Sequence, residues 1–282
     1  MAEEPRRKAP KAHEARVVRT ERLTPHMVRI VVGGEGLASV ACGEFSDHYV
    51  KVLFAAEGVT YPEPFDMARI REEFPREQWP ATRTYTVRAW DPDALEMTLD
   101  FVVHGDEGLA GPWAARAVPG DTVRFLGPGG GYTPDPEADW HLLAGDESAL
   151  PAIAAALERV PSGVPVHAFV EIEEAAEEQK VACPDGVDVT WLHRGGRPVG
   201  EAVVAAVRGL DFPAGAVHAF VHGEAAFVKD LRRHLRHERQ VPRERLSVSG
   251  YWRQGHTDEA WRAVKREWNA AVEREQEGAA GA

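Results

Sequence analysis

The sequence predicts a two-domain protein of the β plus α/β class, an N-terminal six-stranded antiparallel β-barrel followed by a mostly parallel α/β sandwich. Three features predict it. Before residue 130 apolar and polar residues alternate in short runs bounded by Gly, Pro and Asp, the period of half-buried strands. After residue 140 continuous apolar runs alternate with amphipathic stretches, the rhythm of parallel strands covered by helices on both faces. Between them lies GPGGGYTPDPEAD, residues 127–139, too rich in Gly and Pro to continue either pattern.

In chain order, residues 15–20 and 27–32 form two strands around a turn at Thr24–Pro25. Alternating runs at 47–54, 83–91 and 94–104 add three more, and 119–130 supplies the sixth. With one brief helix near 111–117, these suit a small closed barrel. Residues 55–80, with Pro62, Pro64, Pro75 and Pro80, interrupt the pattern and are expected to be a loop. A loop that long in a compact barrel is uncommon and often functional; a lid, a docking loop and a plain insertion all remain open. Beyond the boundary, strands are expected at 139–145, 165–172, 187–194, 216–223 and 245–252. The helices expected between and after them are 149–160, 201–210, 224–239 and 258–268. The domains are placed at 15–135 and 136–271, with disordered tails at 1–14 and 272–282.

The chain's 282 residues give ample core for two domains, and 44% hydrophobic with 28% charged residues is ordinary for a soluble globular protein. A net charge of −12 argues against binding nucleic acid or an anionic membrane, which need a basic surface. Cys42 and Cys183 alone support neither a disulfide framework nor a cysteine zinc site, which fits a reducing cytoplasm. The charged N-terminus lacks a signal peptide's apolar stretch, and no run approaches the ~18–20 apolar residues of a membrane span. A cytoplasmic monomer without membrane insertion is expected.

Two stretches carry candidate chemistry. In RTYTVR, residues 83–88, strand geometry puts Arg83 and Tyr85 on one face, Thr84 and Thr86 on the other. An arginine can pair with phosphate while the ring packs on a flat ligand and a hydroxyl bonds to it. Alone, such a stripe is more often plain strand surface. In DFVVHGDEGLAGPWAAR, residues 100–116, a strand ends at His104–Gly105 and feeds a helix that opens with Gly111–Pro112. Proline suits a first turn, free helix N–H groups attract anions, and glycines such as Gly108 and Gly111 admit a phosphate close to the backbone. The plain alternative is a strand–turn–helix joint.

Taken with the α/β region behind them, these stretches resemble the ferredoxin–NADP reductase-like flavoproteins. More narrowly, they resemble the siderophore-interacting protein family, the flavin-dependent ferric-siderophore reductases. The matching runs are DHYVKVLF, RTYTVR, DFVVHGDEGLAGPWA, GDESALPAI, WLHRGG, HGEAAFVKDLRRHL and SGYWRQGHTDEAW, in family order over residues 47–261. The resemblance implies FAD, its isoalloxazine against Arg83, Tyr85 and Thr86 with Thr84 beside them. Backbone groups of Phe101, Val102 and Val103 would lie nearby, with Asp100 a further cofactor contact, and the pyrophosphate at Gly108, Gly111, Pro112, Trp113 and Ala114, close to His104. Asp146, Glu147, Ser148, Ala149 and Trp252 are further implied cofactor contacts.

The turn AGDESALPAI, residues 144–153, departs from the wider superfamily. There this turn is glycine-rich and holds the pyrophosphate of NADH or NADPH; here it presents two carboxylates, as GDE[ST]ALPAI does in the narrower family. Two carboxylates repel a pyrophosphate, so Asp146 or Ser148 is expected to cap the following helix or to accept bonds from flavin or ribose hydroxyls. A nicotinamide dinucleotide is then expected to bind weakly or through other groups. Glu171, ending a strand, is a candidate acceptor for the ribose of NADH, and Arg194 a candidate partner for the 2′-phosphate of NADPH; either is equally a solvated strand end. Lys51 and Arg253 are candidates for holding an anionic ferric chelate, with Tyr251 or Trp252 covering the flavin. Histidines 218 and 222 read as strand residues sharing a face, and 234 and 237 as a solvated helix face, so no fixed metal site is expected and iron arrives with its substrate.

The expected activity is reduction of a ferric siderophore, with electrons passing from NADH or NADPH through FAD to Fe(III) and iron leaving as Fe(II). No side chain need act as nucleophile or general acid. The alternatives are a flavin-containing siderophore-binding protein reduced by a ferredoxin-like partner, and a general NAD(P)H:flavin oxidoreductase.

Overall fold

A computed structural model describes residues 11–106 and 108–278; of the tails expected at 1–14 and 272–282, residues 1–10 and 279–282 lie outside the described residues, as does Glu107. Strands β1 (Ala12–Thr24), β2 (Met27–Gly33), β3 (Tyr49–Phe54), β4 (Ala81–Asp91), β5 (Glu96–Val102) and β6 (Thr122–Gly129) close into a barrel ordered β1-β2-β5-β4-β3-β6. Alternation decides which side chains fill it: Val17, Ile30, Val32, Val50, Val52, Met97, Leu99, Phe101 and Phe125 are each 2% exposed or less. The ring closes where β6 returns antiparallel to β1, with Ala15 opposite Val123.

Two boundaries move outward from their sequence positions. β1 starts at Ala12 rather than within a tail ending at 14, because His13 stacks on Phe125 and Arg124 pairs with Glu14 at 2.7 Å. At the other end α6 (Asp258–Gly278) runs through the expected tail, burying Val272 and Gln276. The expected loop 55–80 also contains a helix, α1 (Met67–Glu73). The Asp66 carboxylate caps it by accepting the Ala68 N–H at 2.7 Å. Its residues Met67 and Ile70 join Leu53, Tyr61 and Leu126 in a separate apolar cluster, with Phe65, Phe74 and Trp79 packed against it. The brief helix is α2 (Ala110–Arg116).

The remaining strands, β7 (Trp140–Asp146), β8 (Val166–Ile172), β9 (Val189–His193), β10 (Val217–Glu224) and β11 (Leu246–Trp252), form a wholly parallel sheet ordered β11-β10-β7-β8-β9. Both faces are apolar. Leu142, Ala144, Ala219 and Val221 pack with Phe227 and Leu231 of α5 (Ala225–Arg233) and Val203 of α4 (Glu201–Gly209). Leu143, Val170 and Phe220 pack with Ile153 and Leu157 of α3 (Leu150–Leu157). Such two-sided burial is why these strands read as unbroken apolar runs.

The described chain divides into two compact units. One takes the residues up to Glu21, Val28–Gly43 and His48–Gly130; the other takes Arg22–Met27, Glu44–Asp47 and the residues from Gly131 onward.

Candidate functional site

In the barrel unit, the RTYT run lies on β4 antiparallel to β3. Tyr85 stands opposite Val50 and Arg83 opposite Val52, whereas Thr84 pairs with Lys51 and Thr86 with Tyr49. Directly opposed residues share a sheet face, so Arg83 and Tyr85 are on one side and the two threonines, Tyr49 and Lys51 on the other. Tyr85 is half-buried on Phe101, ring centroids 4.0 Å apart, and Phe101 in turn packs on Trp113, which meets Phe54. This aromatic chain fixes the Tyr85 ring without burying it. Lys51 is exposed.

The β5–α2 joint is only partly free for a ligand. The Asp100 carboxylate is held at both oxygens by Arg29, at 2.7 and 2.8 Å, so its side chain is structural rather than a cofactor contact. Phe101, Val103 and Ala114 are buried and offer a ligand their backbone alone; Val102 and Trp113 are half-buried, and His104 is exposed. Gly105 and Gly108 have φ of +54° and +80°, conformations only glycine adopts readily, and nothing lies within 4 Å where a side chain would begin. A Cβ on Gly111 would sit 3.4 Å from the Val102 carbonyl, which sets the approach of α2 to β5; Pro112 lies in the helix's first turn. A fixed half-buried tyrosine, an arginine on the same strand face and an open glycine joint fit a flat, phosphate-bearing group such as FAD.

In the second unit the acidic turn after β7 is built differently from its expectation. Asp146 is fully buried and accepts four bonds: from Ser148 N–H (3.0 Å) and Oγ–H (2.5 Å), and from Glu224 N–H and Trp252 Nε1–H (both 2.8 Å). It therefore neither caps α3, whose N-cap Ala149 receives no side-chain bond, nor has a lone pair left for flavin or ribose hydroxyls; Ser148 spends its own hydroxyl on Asp146. Burial raises the pKa of Asp146, and these four bonds oppose the rise. Gly145 has a packing reason, since a Cβ there would lie 2.6 Å from both the Ala149 Cβ and the His222 carbonyl.

Glu171 and Arg194 are also corrected. Neither is a solvated strand end. Glu171 is fully buried and caps α4, accepting N–H bonds from Gly200 (2.7 Å), Ala202 (3.1 Å) and Val203 (3.2 Å). The helix N-terminus already holds its anion, so no ribose hydroxyl reaches it. Arg194 is spread over three carboxylates: Nε donates to Glu171 (3.1 Å), one terminal nitrogen to Glu173 (2.6 Å), and the other to both oxygens of Glu147 (3.0 and 2.9 Å). Burial, reinforced by Asp146 and opposed by Arg194, raises the Glu147 pKa to about 7. At α5 the Glu224 carboxylate likewise accepts the N–H groups of Ala226 and Phe227. Thus Glu171 and Glu224 fill the starts of α4 and α5, and Asp146 fills the turn before α3.

Trp252 is anchored to Asp146, and Tyr251 meets His222 edge-on at 5.0 Å. The Arg253 guanidinium lies over Trp261, 5.9 Å from its centroid, and lines a groove of about 270 Å³ with Lys229, Arg233 and Trp268. The strand histidines are structural: His222 Nε2 bonds the Ser247 hydroxyl at 2.9 Å, and His218 Nδ1 accepts from the Asp135 N–H. His234 is buried, not solvated, at the start of a π-helical turn (His234–Glu238), with its Nδ1 2.8 Å from the exposed Glu238 carboxylate. Among the described residues no three His, Cys, Asp or Glu converge as metal ligands. Sequence reasoning missed Arg29, Glu173 and Glu224. The Glu–Ala–Ala start of α5 carries a local capping signal; the other two meet partners 71 and 21 residues away and carry none.

A closed six-stranded barrel followed in the chain by a parallel five-stranded sheet defines the ferredoxin reductase type of fold. The ferredoxin reductase of carbazole 1,9a-dioxygenase shares it, with a TM-score of 0.65 at 14% identity over 86% of this chain and 70% of that one, a likeness of fold alone. Residues 16–132 match the siderophore-interacting FAD-binding domain and residues 138–255 the siderophore-interacting protein model, and the chain belongs to the siderophore-interacting protein family. It is 34% identical to the ferric vibriobactin reductase of Vibrio cholerae over 86% of this chain and 90% of the relative. Identity with the NADPH-dependent ferric-chelate reductase of Escherichia coli is 31%, over 85% and 92%. A siderophore utilization protein from T. fusca superposes with a TM-score of 0.76 at 37% identity, covering 88% of this chain and 95% of that one.

Proposed function

We propose that this protein is an FAD-dependent reductase of ferric siderophores that draws electrons from a nicotinamide nucleotide. The observation that carries the reading is the β4 platform: Tyr85 fixed on Phe101 beside Arg83, with Thr84 and Thr86 on the opposite face, in a barrel whose residues 16–132 match an FAD-binding family domain. Bound FAD supplies the step between a two-electron hydride donor and one-electron reduction of Fe(III). The chain's own residues bind and orient. Tyr85 packs on the ring system, Arg83 offers a cation for phosphate, and Gly105 and Gly108 each leave room beside the backbone. Lys51, exposed beside Thr84, offers a cation to an anionic chelate; Arg253, over Trp261, is the second cation proposed for such a substrate. Reduction loosens the chelate because hard oxygen donors hold Fe(III) better than Fe(II).

NADPH is the donor best supported, by the similarity to the Escherichia coli reductase. One observation favours a second reading, an iron–sulfur protein as donor: carboxylates of the chain itself fill the starts of α4 and α5 and the turn before α3. The setting proposed is a monomer in the cytoplasm. No described helix is long and apolar enough to cross a membrane, and neither cysteine is in a disulfide. The test is the visible spectrum of the anaerobic FAD-loaded protein. Flavin bands that bleach with NADPH and return on adding a ferric siderophore are the expected result. Bands that bleach with dithionite alone would move the donor to a protein partner, and failure to retain FAD would overturn the reading.

A further inference from the structure

The Arg194 guanidinium is the most heavily contested cation in the second unit, and its three carboxylates are not equivalent. Glu171 is wholly buried and committed to capping α4; through its bond to Nε it sets the plane of the guanidinium. Glu173 is half exposed and Glu147 nearly buried, and between them they occupy the two terminal nitrogens. Those nitrogens form the edge that recognises a phosphate through two parallel bonds. Removing Glu147 alone opens one of them while Glu171 keeps the fork in place.

We propose that Glu147 is an internal competitor for the phosphate of the donor nucleotide, holding the terminal edge of Arg194 until a phosphate displaces it and Glu147 takes up a proton. The inference rests on the reading that a nicotinamide nucleotide is the donor. The exchange balances: the Glu147 carboxylate leaves Arg194 and gains one proton from solvent, and the phosphate brings its own negative charge to the vacated nitrogen. Several groups set the cost. Asp146, held by Ser148, the Glu224 N–H and Trp252, sits next to Glu147 and disfavours its ionised form. Arg194 favours the ionised form, and Glu173 and Glu171 compete for the same guanidinium. With burial added, Glu147 is poised near pH 7, so the competitor weakens within the physiological range. The arrangement gives a physical reason for two carboxylates at a turn that elsewhere would bear glycine: one builds the turn and the other guards the cation.

The probe is adenosine 2′,5′-bisphosphate, which carries the phosphates without the nicotinamide, titrated calorimetrically into FAD-loaded protein. Wild type is expected to bind more weakly by about fivefold between pH 7 and pH 8, proton uptake per ligand rising from about one half to nearly one. Glu147→Gln is expected to bind about tenfold or more tightly than wild type at pH 8 and to lose that slope; it also subtracts the titration of the phosphate itself. Arg194→Gln is expected to abolish the gain. Retained flavin and an unchanged circular dichroism spectrum show that each variant is folded, and Glu173→Gln serves as a second probe of the same edge should Glu147→Gln unfold. Equal affinity and equal slope in wild type and Glu147→Gln overturn the proposal, as does the absence of binding to both. If NADPH still bleaches the flavin in that event, the reductase reading stands and the competitor alone is lost.

Discussion

Replacing Glu171 by alanine removes the single acceptor shared by three backbone N–H groups and the Nε of Arg194. A lost helix cap costs about 1 kcal/mol. Each buried donor left without a partner costs about 1–3 kcal/mol. Removing one member of a buried ion pair costs about 3–5 kcal/mol. These overlap, because water entering the vacated space satisfies some of the donors, so the net expectation is about 3–4 kcal/mol. With a urea slope of about 2 kcal/mol/M, the midpoint of the second unit falls by about 1.5–2 M. Tryptophan fluorescence is a suitable signal, since Trp140, Trp191, Trp252, Trp261 and Trp268 all belong to that unit. Glu171→Gln keeps an acceptor oxygen and is expected to lose roughly half as much. An alanine variant whose midpoint stays within about 0.2 M of wild type would refute the capping argument. A raised KM for the donor at unchanged stability would instead return Glu171 to ligand contact.

Other expectations concern acid, packing and ligands. His141 is fully buried with neither ring nitrogen hydrogen-bonded; burial, then His218, lowers its pKa to about 4, and burial, then Lys265, lowers that of His222 to about 3. Both stay neutral in the fold while the unfolded chain protonates below about pH 6.5, so their contribution is complete above that pH and is lost as pH falls. Unfolding free energies from urea titrations are expected to drop with a slope of up to about 1.4 kcal/mol per pH unit for each histidine, and His141→Phe to remove its share. Gly145→Ala drives a Cβ into Ala149 and the His222 carbonyl and is expected to cost about 1–3 kcal/mol by the same assay with FAD affinity unchanged. Arg83→Ala is expected to weaken FAD binding about 10–100-fold by fluorescence titration; wild-type affinity would remove Arg83 from the phosphate. Lys51→Glu is expected to raise KM for an anionic ferric chelate about five- to tenfold, less at high salt, and to leave a neutral chelate unaffected.

What the sequence made legible follows the range of the interactions involved. Strands announce themselves through neighbours two residues away, so the six barrel strands and the five parallel strands stand close to where alternation and apolar runs put them. RTYT is legible in the same way: a two-residue period suffices to place Arg83 and Tyr85 on one face. Helix α1 was hidden by four prolines around it, although Asp66 followed by MARIREE is a local capping and amphipathic signal. The acidic turn is another matter. Asp146 meets Trp252 across 106 residues, and Glu171 meets Arg194 across 23 and α4 across about 30. No local pattern encodes such partners. Read alone, Glu171 and Arg194 therefore look like free charges at strand ends, when each is already spent on the other.

The apolar cluster beneath α1 gives residues 55–80 an unfolding event of their own. Tyr61 lies edge-on to both Phe65 and Phe74, the Ile70 and Phe74 amides bond to carbonyls four residues back, and Leu53, Leu126, Ala12 and the Arg124–Glu63 pair tie the segment to β3, β6 and β1. A segment with a small core of its own opens at lower free energy than the strands it rests on. In hydrogen exchange, amides 70–74 would then lose protection together, as one cooperative step, while the ring of strands behind them stays closed.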